Sequence, residues 1–177
     1  MKTKTNATIA AYSDQVLDAK TGGLVNIDHL SAKAHEAKRF FHTQEEVIAS
    51  AATSKFLLTV PATGAIFFGF EVESSLLCTV QLYEAGDRLP SVTAIVGVNR
   101  DRNSSTVPTL VISDEIATGG TTDGTLKFVK KWGTAAAGGK VVESEIQLKK
   151  STKYLFVITS GANSNQVSTK FDWYETA

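Results

Sequence analysis

The chain has 177 residues, 42% of them hydrophobic and 8% aromatic, with 18 Lys plus Arg against 18 Asp plus Glu. That length buries enough surface for one domain with its own core, and a formal charge of zero provides no field to draw the protein to nucleic acid. The single Cys78 excludes an internal disulfide framework, and no apolar run approaches the length of a membrane-spanning helix.

Residues 1 to 27 have weak apolar spacing around the sequence KTGG, and MKTKTNATIAAYSDQ lacks the sustained apolar run of a signal peptide. They read as an extended N-terminal arm ahead of a domain over residues 28 to 177. At the junction two readings compete. Asp28 is an N-cap for a short helix reaching Lys38, whereas RFFHTQEEVIAS favours a strand. The three histidines, His29, His35 and His42, lie here at spacings that fit no zinc pattern and without a cysteine beside them, so no metal or cofactor is expected.

From there the chain alternates with period two. In AIFFGFEVE, Ile66, Phe68, Phe70 and Val72 share one face, with Gly69, Glu71 and Glu73 on the other. KFLLTV, LLCTVQLYE, VTAIVGV, VPTLVIS, KYLFVITS and VSTKFDWYE are further strands, and Cys78 reads as a small core residue within its strand. In KVVESEIQLKK the same rule points Val142, Ser144, Ile146 and Leu148 inward and Glu143, Glu145, Gln147 and Lys149 outward. Turn signals such as PATG, EAGD, AAAGGK and SGANSN separate the strands. About eight short strands with Gly-rich connections predict an all-β fold, an antiparallel sandwich of jelly-roll-like form.

Catalytic signatures are missing from this pattern. No nucleophile elbow, HExxH, P-loop or GxGxxG occurs. The pairs Glu71/Glu73 and Glu143/Glu145 each lie on one strand face, as solvated residues do. No enzyme is expected. The polar stretch VGVNRDRNSSTVP reads instead as a clamp holding a long loop to a sheet edge. Its members are Asn99, Arg100, Arg102 and Asn103, with Glu84 as the acid for the guanidiniums. Phe171 and Trp173 share one face of the last strand and read as core. Trp132 and Tyr174 are the candidates for ligand aromatics.

Four stretches, VQLYEAGD, VNRDRNSST, ESEIQLKKSTKYLFVITS and FDWYE, resemble a family of small tailed-bacteriophage virion proteins of β-sandwich type. The matching positions are Tyr83 and Glu84; Asn99, Arg100, Arg102 and Asn103; Glu145, Leu148, Thr152 and Tyr154; and Trp173, Tyr174 and Glu175. AHEAKRFF resembles a further motif of the family, but with Ala37 where glycine is usual, which leaves the turn there open. The resemblance spans residues 28 to 177. It implies a jelly-roll capsid decoration (cement) or other head-associated protein, with no catalytic residues to carry over. The partner implied is the major capsid protein, and the address is the virion surface after synthesis in the bacterial cytoplasm. Cyclic symmetry matching capsid lattice sites predicts a homotrimer. The uncharged loops DEIATGGTTDG, WGTAAAGGK and SGANSNQ, or the arm, would lie at its contacts. The alternative is a carbohydrate- or receptor-binding sandwich of a phage fibre or tail, which needs exposed aromatics at Trp132 or Tyr174.

Overall fold

Strand-forming, period-two sequence dominates the chain, and the computed structural model folds it as sheets throughout. It describes residues 15–17, 24–26, 38–91, 93–113 and 120–176, among which there is no helix. The helix expected over 28–38 lies outside the described residues except for Lys38, and so do the arm's other residues. The strands are β1 (Gln15–Leu17), β2 (Leu24–Asn26), β3 (Arg39–Ile48), β4 (Thr53–Thr59), β5 (Ile66–Ser74), β6 (Cys78–Ala85) and β7 (Ala94–Ile95). They continue with β8 (Val98–Asn99), β9 (Val111–Ser113), β10 (Gly124–Trp132), β11 (Gly139–Leu148), β12 (Lys153–Ser160) and β13 (Asn165–Glu175). The contested RFFHTQEEVI is thus a strand.

A six-stranded sheet runs β10-β6-β12-β4-β9-β7, and a five-stranded sheet runs β11-β5-β13-β3-β8. The eight long strands pair as if one hairpin had been wound into a barrel. β3 pairs with β13, β4 with β12, β5 with β11 and β6 with β10, all antiparallel. The winding is completed where β5 also pairs with β13 and β6 with β12. This is the connectivity of a jelly roll. The expected VTAIVGV and VPTLVIS form only the short β7, β8 and β9, two or three residues long, which patch one side of the sandwich, while β10 is a long strand that the alternation did not predict.

Inward positions fill the space with interlocked rings. Phe171 meets Phe56 and Phe156 edge-on at 5.0 and 5.2 Å and lies tilted against Phe68 at 5.3 Å. Edge-to-face contacts of this kind add to the burial that drives the sheets together. Cys78 is buried, and that burial pushes its thiol up to about 11.

Two details depart from the simple alternation. β11 carries a bulge between Glu143 and Ile146. Val141 is therefore the inward residue before it, while Val142 is 55% exposed and Ser144 is exposed as well. Ile146 and Leu148 return to the interior after it. A bulge inserts one residue on one strand only, so it inverts the parity of everything before it. β10, in turn, carries Lys127, Lys130 and Lys131 on an edge, with Phe128 its main inward contact. Lysines on an edge strand deter pairing with other chains.

Candidate functional site: the fastened outer face of the five-stranded sheet

On β13 the inward residues Phe171 and Trp173 alternate with Asp172 and Tyr174, which point outward. Register places Asp172 opposite Phe41 on one side and Gly69 on the other. Arg39, two residues before Phe41 on β3, donates from Nε and Nη2 to the two oxygens of Asp172, at 3.0 and 3.2 Å. Arg100 Nη2 donates to the same carboxylate from the loop after β8, and its guanidinium lies over the Phe41 ring at 5.1 Å. One acid thus gathers two guanidiniums, and an aromatic face supports the second. Arg100 also extends the β8 pairing, since its backbone N–H donates to the Arg39 carbonyl at 2.9 Å.

The loop that follows holds itself. Asn99 Oδ1 accepts the Asp101 N–H at 2.9 Å, Asp101 Oδ1 accepts the Asn103 N–H at 3.0 Å, and Asn99 Nδ2 donates to the Thr106 carbonyl at 3.1 Å. Short polar side chains that imitate a backbone turn are the reason such residues collect in loops. The far end of the loop is tied to the last strand by Glu175, which is 6% exposed. Its carboxylate accepts from the Thr109 and Leu110 N–H groups, the Thr109 hydroxyl at 2.6 Å and the Trp173 indole at 3.1 Å.

Of the expected clamp, the structure brings Asn99 and Arg100 together at this face and leaves Arg102 and Asn103 exposed. Among the described residues Arg102 makes no hydrogen bond or ion pair. Glu84 is not the acid that serves the arginines. It lies on β6, in the other sheet, where Oε2 accepts the Tyr154 hydroxyl at 2.7 Å and Lys127 Nζ stands 3.5 Å from Oε1. Tyr154 in turn accepts the Lys149 N–H at 2.9 Å, which pins the β11–β12 turn. The Tyr154 bond and Lys127 hold the Glu84 carboxyl below the usual range, and burial pushes Tyr154 up to about 12. The residues missed by sequence reasoning are Arg39 and Asp172. The signal for Asp172 was an acid alternating with two buried aromatics, but its partners depend on register.

Neither ligand aromatic is an open platform. Tyr174 is 4% exposed, stacked on Phe67 at 4.6 Å, with its hydroxyl pushed up to about 12 by burial and by Glu145. Trp132 is half-buried with its ring against the Gly139 backbone, where an added Cβ would come within 2.7 Å of Cδ1. His42 points inward and stacks on Phe171 at 6.4 Å, whereas His29 and His35 lie outside the described residues. The three loops expected at one symmetry axis divide between the two ends of the sandwich. The WGTAAAGGK and SGANSNQ loops both bond Leu77, through Thr134 and Gly161. Asp87, with the Thr122 and Thr121 N–H groups, holds the GTTDG stretch at the other end of β10, and the first six residues of the expected DEIATGGTTDG loop lie outside the described ones.

A groove of about 130 Å³ lies beside Asp172, under the β11 bulge. Gly69 makes it possible, because a Cβ there would stand 2.6 Å from the Ser144 carbonyl oxygen. Glu71, Lys170, Glu145 and Tyr174 line the groove. The chemistry of the face is that of fastening. Its acids accept from guanidiniums, an indole and backbone N–H groups of segments far apart in the chain, which holds loops rigidly on a sheet.

No known protein family matches this chain, and no curated protein matches it in sequence.

Proposed function

We propose that this chain is a structural virion protein that binds the outer surface of a bacteriophage capsid and stabilises it, acting as a homotrimer on the major capsid protein. The observation that carries the reading is how the stretches resembling phage virion proteins meet in space. Glu84 of VQLYEAGD bonds Tyr154 of ESEIQLKKSTKYLFVITS, and Arg100 of VNRDRNSST bonds Asp172 of FDWYE. Residues that identify the resemblance are therefore the fasteners of one jelly roll, a fold that capsid proteins use among others. A sandwich filled by packed aromatics and stitched on its outside suits a load-bearing part. Its mechanism is additive: a modest contact, repeated over a closed shell, raises the temperature and force that the shell survives.

The test is binding to purified capsids that lack the protein, followed by heating. Saturable binding with a raised temperature of genome release supports the reading. A carbohydrate- or receptor-binding role would instead give saturable binding to one sugar class on a glycan array, and the burial of Tyr174 counts against it.

A further inference from the structure

Arg102 and the loop tip around it take no part in fastening the sheets, yet the loop is stiffened well beyond its anchors. Its ends are fixed by Arg100 on Asp172 and by Thr109 and Leu110 on Glu175. Between those ends a second set of bonds closes on the loop alone. To the bonds of Asn99 and Asp101 it adds the Ser104 N–H on the Asp101 carbonyl at 3.1 Å. The Ser104 hydroxyl donates to Thr106 Oγ1 at 3.0 Å, and the Thr106 N–H returns to Ser104 Oγ at 3.1 Å. None of these bonds reaches another segment, so they fix the shape of residues 99 to 106 and nothing else.

That shape presents side chains of two kinds. Arg102 is exposed, and among the described residues its guanidinium has neither an acid nor a carbonyl to serve. Val96 and Val107 are 73% and 72% exposed, the highest values for any large apolar residue among the described ones. They emerge close together. A Cβ on the buried Gly97 would meet the Trp173 ring and, at 3.4 Å, Pro108 Cγ, so the segment carrying Val96 packs against the one carrying Val107. A single exposed apolar side chain needs no explanation. Two of them beside an unpaired guanidinium, on a loop held in one shape, have the composition of a binding surface.

Both kinds of side chain limit what can bind. A polyanion such as nucleic acid needs several cations, and the loop offers one, with Asp101 beside it. A guanidinium flanked by apolar side chains instead fits a carboxylate set beside an apolar hollow on another protein. The valines would exclude water around that ion pair, which strengthens it. Stiff β-branched side chains on a pre-formed loop also lose little freedom on binding.

We propose that Arg102, Val96 and Val107 form the surface with which this chain docks on its protein partner, at a site that offers a carboxylate beside an apolar hollow. The inference rests on the proposed function for the identity of that partner, the major capsid protein. It adds which side of the sandwich lies against the shell: the one patched by β7 and β8, where the chain passes from one sheet to the other.

The test is equilibrium binding of the full-length protein to purified capsids that lack it. Wild type is compared with Arg102→Glu, Arg102→Ala, Val107→Asp and, as a control on β11, Val142→Asp, all at exposed positions. Each variant should melt like wild type by circular dichroism. Arg102→Glu and Val107→Asp should bind about tenfold or more weakly, and Val142→Asp should bind as wild type does. Added salt should weaken wild type more than Arg102→Ala, which has no ion pair at that position to screen. The proposal is overturned by Arg102→Glu binding like wild type, by equal salt dependence of wild type and Arg102→Ala, or by an equal loss at Val142. Any of these results with a wild type that binds leaves the virion reading standing. A wild type that does not bind capsids removes that reading and this docking surface with it. If Val107→Asp melts early, the Arg102 variants decide.

Discussion

Replacing Asp172 by alanine is the sharpest perturbation of the fastened face. The carboxylate accepts from two nitrogens of Arg39 and one of Arg100, so its loss strands two guanidiniums at once. A hydrogen bond to a charged group contributes about 1.5–3 kcal/mol when well buried, and an exposed ion pair about 0.2–1 kcal/mol. Here the side chains of Arg39, Asp172 and Arg100 are 19%, 23% and 32% exposed, which discounts each bond for solvent without abolishing it. The triad together should therefore stabilise the fold by about 2–3 kcal/mol. For a domain of this size that corresponds to a fall in melting temperature of about 4–12 °C. Arg100→Ala should cost less, about 1 kcal/mol, since Arg39 keeps its acid. Arg102→Ala should stay within about 0.5 kcal/mol of wild type, as exposed substitutions do. Urea titration of the four proteins by circular dichroism measures all of these. Equal stability of Asp172→Ala and wild type, or a cost at Arg102 as large as at Arg100, would refute the assignment of the clamp.

Three further substitutions probe the remaining fasteners. Tyr154→Phe removes the bonds to Glu84 and the Lys149 N–H and should cost about 1–2 kcal/mol. Because the folded Glu84 carboxyl is depressed, its contribution is present above the unfolded value and is lost as pH falls through the folded one. Acid titration below about pH 4.5 should thus destabilise wild type more steeply than Tyr154→Phe. At the alkaline end the raised Tyr154 hydroxyl works in the opposite sense: its stabilisation is lost as pH rises from about 10 toward about 12, and the phenylalanine variant should not show that loss. Glu175→Ala leaves two backbone N–H groups and the Trp173 indole without their acceptor, and a loss of about 3 kcal/mol with faster exchange at Thr109 and Leu110 is the expected signature. Gly69→Ala drives a methyl into the Ser144 carbonyl and should cost about 1–3 kcal/mol, whereas an unchanged melting curve would show that the bulge yields freely.

The fold was legible because its evidence is local. The alternation in AIFFGFEVE names Ile66, Phe68, Phe70 and Val72 as inward, and all four are buried. β10 was missed because an edge strand with one main inward aromatic and three lysines has no period-two signature to read. The bulge in β11 was missed for a related reason. The sequence VVESEIQL alternates plausibly in either parity, and only pairing with β5 across Gly69 decides where the extra residue goes. The site was legible in composition rather than in partnership. Asn99 and Arg100 do fasten a loop, but the acid serving Arg100 is Asp172, on a strand 72 residues away in sequence, and Glu84 serves a tyrosine in the other sheet. Which acid meets which arginine is set by sheet register, a non-local property that no local window contains.

The central claim is the address on the capsid, and a reconstruction of purified virions that contain this chain tests it most directly. The account predicts jelly-roll density on the outer surface of the shell, grouped in threes, with the major capsid protein beneath it. A shell whose outer surface carries no such density, with the chain absent or confined to the tail, would contradict it.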